Sequence, residues 1–102
     1  MPEFVRVART VDIPPGQAIM VEVNGAEIAV FNIAGSFHAI ENSCTHVGGP
    51  LCEGMVEGVE VTCPWHGAVF DVTTGEVLGP PAGQGVGRYN VRIVGPDIEV
   101  EV

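Results

Sequence analysis

Lysine is absent from this 102-residue chain, and four arginines stand against thirteen acidic residues. The resulting net charge of −9 excludes an electrostatic nucleic-acid binder, which needs clustered cations to displace counterions from phosphates. An acidic chain associates instead with basic patches on its partners, and does so less well as salt rises. No apolar run approaches the roughly 20 residues needed to span a bilayer. The start Met1-Pro2-Glu3 lacks a signal-peptide pattern, so the expectation is a soluble, cytoplasmic protein with no membrane contact. There is no sequence repeat, no low-complexity segment, no Ser/His/Asp triad, no paired-carboxylate site and no phosphate loop. Long uninterrupted segments are missing too, because 14 Gly and 8 Pro punctuate the chain. No helix of ordinary length fits between them, which predicts an all-β fold.

What is present suffices for one folded domain spanning residues 1–102. A hydrophobic fraction of 46% against 17% charged residues argues against disorder. A chain of this length buries roughly 60–65% of its unfolded surface. Phe4 to Ala8 reads as a first strand, and Asp12-Ile13-Pro14-Pro15-Gly16 as a turn. Ile19 to Val23 alternates apolar and polar residues, and Asn24-Gly25 is a strong hairpin signal. A two-residue loop there sets Glu22 opposite Glu27, so either the register differs or the repulsion falls on an exposed face. Ile28 to Ile33 is apolar on both faces, as a central strand would be. Phe37 to Ile40 forms the next strand. Met55-Val56 and Val59-Glu60-Val61 read as a hairpin that leads to Cys63, and Val69-Phe70-Asp71 with Glu76-Val77-Leu78 as another. Tyr89, Val91 and Ile93 alternate with Arg88, Asn90 and Arg92. Ile98, Val100 and Val102 alternate with Asp97, Glu99 and Glu101. Pairing these two strands puts Arg92 across from Glu99 or Glu101 and points the acidic face to water.

Against this background the densest chemistry lies in Cys44-Thr45-His46 and Cys63-Pro64-Trp65-His66. Each segment offers one Cys and one His, and sixteen residues separate His46 from Cys63. Thiolates and imidazoles are softer metal ligands. Ligands at i and i+2 face one way only on extended backbone, and Pro64 biases Cys63 toward that conformation. Gly48, Gly49, Gly54 and Gly67 flank the ligands and let main-chain N–H groups come close. Two Cys and two His also make a common tetrahedral zinc set, although zinc fingers usually pair like with like locally, and here each local pair is mixed. A disulfide between Cys44 and Cys63 would leave both histidines unexplained.

The spacing C-x-H…C-x2-H resembles the Rieske family, supported by His66-Gly67-Ala68-Val69-Phe70-Asp71 and Thr74-Gly75-Glu76-Val77-Leu78-Gly79-Pro80-Pro81. The resemblance implies a Rieske (ISP-like) fold: an antiparallel β-sandwich base from residues 1–42 and 69–102, with an inserted cluster-binding lobe at 43–68. It implies one [2Fe–2S] cluster per chain, with Cys44 and Cys63 on one iron and His46 and His66 on the other. In the high-potential branch an additional Cys in each loop forms a disulfide, and a Ser and a Tyr after the last ligand donate hydrogen bonds to cluster and Cys sulfurs. Here those positions hold Gly49, Trp65, Ala68 and Phe70. The resemblance is therefore to low-potential ferredoxins, near the roughly −150 mV end of the Rieske range. It implies no catalysis of its own. The chain would be a monomeric one-electron carrier from an NAD(P)H-dependent flavin reductase to a terminal oxygenase of the aromatic-ring-dioxygenase type. The alternatives are the small Rieske subunit of an NAD(P)H nitrite reductase and a zinc-stabilised binding module. By the same resemblance, Pro80-Pro81 matches a loop that covers the cluster; otherwise it is a rigid linker. Trp65 is expected to shield the cluster, contact a partner or simply pack. Cys52 reads as a small loop residue, His38 as a structural or surface residue, and Asp71 as a turn residue. Glu41, Glu53, Glu57 and Glu60 are either solvated or docking charges.

Overall fold

Apolar alternation and turn chemistry give eleven strands in a computed structural model that describes residues 3–42, 50–65, 67–79 and 85–102. They are β1 (Phe4–Arg9), β2 (Ala18–Val23), β3 (Ala26–Ile33), β4 (Ser36–Glu41), β5 (Met55–Glu57), β6 (Glu60–Thr62), β7 (Val69–Asp71), β8 (Val77–Gly79), β9 (Arg88–Tyr89), β10 (Val91–Val94) and β11 (Asp97–Glu101). Short 3-10 turns occupy Thr10–Asp12 and Leu51–Glu53. The strands form three antiparallel sheets in the orders β1-β11-β10, β2-β3-β4-β9 and β5-β6-β7-β8. The fold is all-β, as the sequence predicts.

The middle sheet explains why β3 is apolar on both faces. Ile28 and Val30 point into a core shared with Ala8, Ile13, Ala39, Ile98 and Val100. Ala29 and Phe31 point the other way, into a core with Ile40, Leu51, Val61, Cys63, Ala68 and Phe70. The period of two along a strand divides these side chains between the faces. The first core closes the sandwich base, and the second glues the β5–β8 sheet onto it. Each fully buried Ile or Phe contributes roughly 1.5–3 kcal/mol. The β5–β8 sheet runs on to Gly79, so the hairpin after the second ligand segment belongs to the sheet that carries that segment.

Asn24 and Gly25 take φ values of 52° and 84°, the left-handed pair required by a two-residue hairpin. The resulting register places Glu22 opposite Glu27, both exposed, so the repulsion is left to solvent screening. Glu22→Lys is expected to raise stability by roughly 0.5–1 kcal/mol, read as a higher urea midpoint at low salt. An unchanged midpoint would show that water already screens the pair.

At the C-terminus the single strand expected from Tyr89 to Ile93 is two strands. β9 pairs with β4, whereas β10 pairs with β11 in a different sheet. Asn90 sits at the crossing, where its carbonyl accepts from the Glu101 N–H and its amide donates to the Glu101 carboxylate. Alternation sets which face a residue takes but not which sheet it joins. The acidic face of β11 does not simply point to water either. β11 is central in its sheet, so Glu99 lies between Arg6 and Arg92. Arg92 Nε donates to Glu99 Oε1 at 2.6 Å, and the guanidinium lies 4.3 Å from the Phe4 ring centroid. Arg6 reaches Asp97 at 3.6 Å.

Candidate metal centre

Of the four sequence-derived ligands, Cys63 lies within the described residues; Cys44, His46 and His66 lie outside them, as do Pro80 and Pro81. Strand β6 ends at Thr62 and delivers Cys63 to the lobe core, where it is only 2% exposed. Its N–H donates to the Ala68 carbonyl at 2.7 Å, and its carbonyl accepts from Gly67 N–H at 3.1 Å. The second ligand segment is therefore pinched shut at its base. The first is closed in the same way: Leu51 N–H donates to the Asn42 carbonyl at 2.7 Å. Leu51, Cys63 and Ala68 pack in one core, so the bases of both ligand segments lie side by side. That is the arrangement two interleaved Cys/His segments need.

A third segment abuts the same region. Val86 N–H donates to the Gly75 carbonyl at 2.8 Å, and Glu41 N–H donates to the Gly87 carbonyl at 2.9 Å. The Glu41 carboxylate accepts from Gly87 N–H. Glu41 thus braces the chain where it re-enters β9. Burial first, and Glu41's charge second, push the Tyr89 hydroxyl pKa up. Glu53, Glu57 and Glu60 are exposed. The register lines up Glu57, Glu60 and Asp71 across β5, β6 and β7. Asp71 is the expected turn residue: Oδ1 accepts from both the N–H and the hydroxyl of Thr73.

Trp65 is 53% exposed, too open for a packing role alone. Beyond His66, Ala68 and Phe70 are fully buried and bring no hydroxyl. Cys52 is half-buried, and burial first, then Glu53, raise its thiol pKa. His38 is half-buried in β4 and lines a shallow cleft with Thr73, Arg88 and Asn90. Sequence reasoning missed Asn42, buried at the start of the first ligand segment. Its only signal is a polar residue directly after an apolar strand and two positions before Cys44.

The described part of the site suits an iron–sulfur cluster. A soft sulfur donor, Cys63, sits nearly fully buried in the core on which both segments close. Among the described residues no three His, Cys, Asp or Glu side chains gather to hold a metal elsewhere. Comparison with known proteins gives the class. A family model described as the Rieske [2Fe-2S] domain matches residues 3–90. The chain belongs to this family, and its cofactor is a Rieske-type [2Fe–2S] cluster rather than zinc.

Particular relatives narrow the setting. The ferredoxin component of the naphthalene 1,2-dioxygenase/salicylate 5-hydroxylase systems of a Ralstonia species is 42% identical over 82 residues, which is 80% of this chain and 79% of that one. The ferredoxin of carbazole 1,9a-dioxygenase from Nocardioides aromaticivorans IC177 superposes with a TM-score of 0.91 at 34% identity, covering 95% of each chain. A complex of reduced oxygenase and oxidized ferredoxin in carbazole 1,9a-dioxygenase contains a chain with a TM-score of 0.90 and 32% identity, covering 95% of this chain and 91% of that one. Among the described residues no helix is long and apolar enough to cross a membrane.

Proposed function

We propose that this chain is the one-electron carrier of an aromatic-ring-dioxygenase system. It would take electrons from an NAD(P)H-dependent flavin reductase and deliver them to a terminal oxygenase, in the cytoplasm and as a monomer. The observation that carries this reading is the closure of both ligand segments on one core, with Cys63 inside it. Relatives named as ferredoxin components favour this setting over a nitrite-reductase subunit. Cys44 and Cys63 hold one iron in this reading, and His46 and His66 the other. When bound, the cluster takes up and releases a single electron.

The chain's own residues do the rest. Leu51, Ala68 and Phe70 keep water from beneath Cys63. Trp65, exposed beside His66 in the sequence, offers an aromatic contact to a partner. Glu53, Glu57 and Glu60 give the lobe a negative surface that suits a basic partner. All 102 residues act as one unit, a β base carrying the cluster lobe.

The reduced cluster carries about one more negative charge and is stabilised by hydrogen-bond donors near its sulfurs. Ala68 and Phe70 supply no hydroxyl there, so voltammetry of the pure protein is expected to give a potential near −150 mV. A clearly positive potential would exclude the low-potential assignment. A colourless sample, EPR-silent after dithionite, would remove the carrier function altogether.

A further inference from the structure

Asn42 is one of two buried polar side chains among the described residues, and it stands where the first ligand segment leaves the β base. Its N–H donates to the Glu27 carbonyl at 3.1 Å and so fixes Asn42 to the start of β3. Its carbonyl accepts from Leu51 N–H at 2.7 Å. Its side-chain Oδ1 accepts from the next N–H along, that of Cys52, at 2.9 Å. Two successive N–H groups of the Leu51–Glu53 turn are thus held by one residue. The N-terminal end of a 3-10 turn leaves such donors without partners inside the turn. Any residue could supply the main-chain bond. The side-chain bond needs a short acceptor of asparagine length, and the part-buried Cys52 N–H would lose its partner without it.

We propose that Asn42 is a positioning residue for the cluster. It sets where the segment bearing Cys44 and His46 leaves the β base and where it returns. This rests on the ligand reading above. A hydrophobic side chain at 42 would preserve the strand but leave the return point, Leu51 and Cys52, held by a single bond. The return point of the segment would then be less firmly held, and its Cys and His would meet iron less well positioned.

Asn32 provides a matched control. It is equally buried, at 4% exposed, and its amide donates to the Ile13 carbonyl at 2.7 Å while its Oδ1 accepts from Gly35 N–H at 2.8 Å. Those partners lie away from the ligand segments, so Asn32→Ala should weaken the fold without touching the cluster. The experiment follows cluster release into bathophenanthroline by loss of visible absorbance, together with the EPR g values of the dithionite-reduced protein. Asn42→Ala is expected to release iron about tenfold faster than wild type and to shift or broaden the g values. Asn32→Ala is expected to change neither beyond what its lowered stability accounts for. Asn42→Asp keeps the acceptor and is expected to restore slow release. If Asn42→Ala does not accumulate as folded protein, Asn42→Ser carries the same comparison with a shorter acceptor. Equal behaviour of the Asn42 and Asn32 variants would overturn the proposal, as would an aspartate variant that loses iron as fast as the alanine one. An EPR-silent wild type would instead indict the ligand reading itself.

Discussion

Cys63→Ala is expected to abolish the visible absorption and the EPR signal of the protein while leaving most of its β structure in place. The side chain contributes one sulfur atom to a core that includes Leu51, Val61, Ala68 and Phe70. Alanine fits that site with a small cavity, so the loss of packing is modest. The sandwich core of Ile28, Val30, Ile98 and Val100 does not include it and should keep its far-UV circular dichroism. Cys52→Ala serves as the contrast. Cys52 lies against the same core but is only half-buried, and its variant should keep the signal unchanged. His66→Cys should behave differently from both. On the proposed ligand set, an anionic thiolate in place of a neutral imidazole adds negative charge at that iron, so the potential should fall toward the roughly −400 mV of all-cysteine ferredoxins. Retention of an unaltered signal in Cys63→Ala would show that the cluster is held some other way.

The largest loss of stability is expected from Gly75→Ala. Gly75 has φ +83°, and a Cβ there would stand 2.2 Å from the Val86 carbonyl oxygen. Neither atom can step aside cheaply, because Val86 N–H is itself bonded to the Gly75 carbonyl. The strained backbone and the overlap together should cost roughly 3 kcal/mol, or about 15 °C in Tm for a domain of this size. Gly95→Ala isolates the backbone contribution. Its φ is +58° but nothing lies within 4 Å, so about 1 kcal/mol is expected. Similar Tm values for the two variants would mean that the 75–86 contact yields freely. The contact matters for the site because it seats residues 85–87 where the chain returns from Pro80-Pro81.

Much of this architecture is legible in the residues. The Asn24-Gly25 turn, the hairpin leading to Cys63, the Asp71 turn and the Arg92–Glu99 pair all follow from local alternation and turn chemistry. Those rules act over a few neighbouring residues, and their outcomes do not depend on the rest of the fold. Two features resist the same treatment. The crossing at Asn90 interrupts no alternation, since both halves of the segment present apolar residues on the expected parity. Only the tertiary placement of β4 and β11 tells the chain to change sheets. Glu41 and Asn42 look like ordinary polar residues at a strand end, yet their partners lie 46 and 10 residues away. The ligand chemistry is readable for the opposite reason. Cysteine and histidine are few here, so two short segments that each pair one Cys with one His stand out.

The middle sheet is a party wall. Odd and even residues of β3 furnish separate rooms, so inserting or deleting one residue within that strand would swap the furniture of both at once. Length changes should accumulate in the connections around the wall and never inside it. A designer wishing to retune the redox room can therefore repack Phe31 and Ile40 without disturbing Val30 and Ala39 behind them.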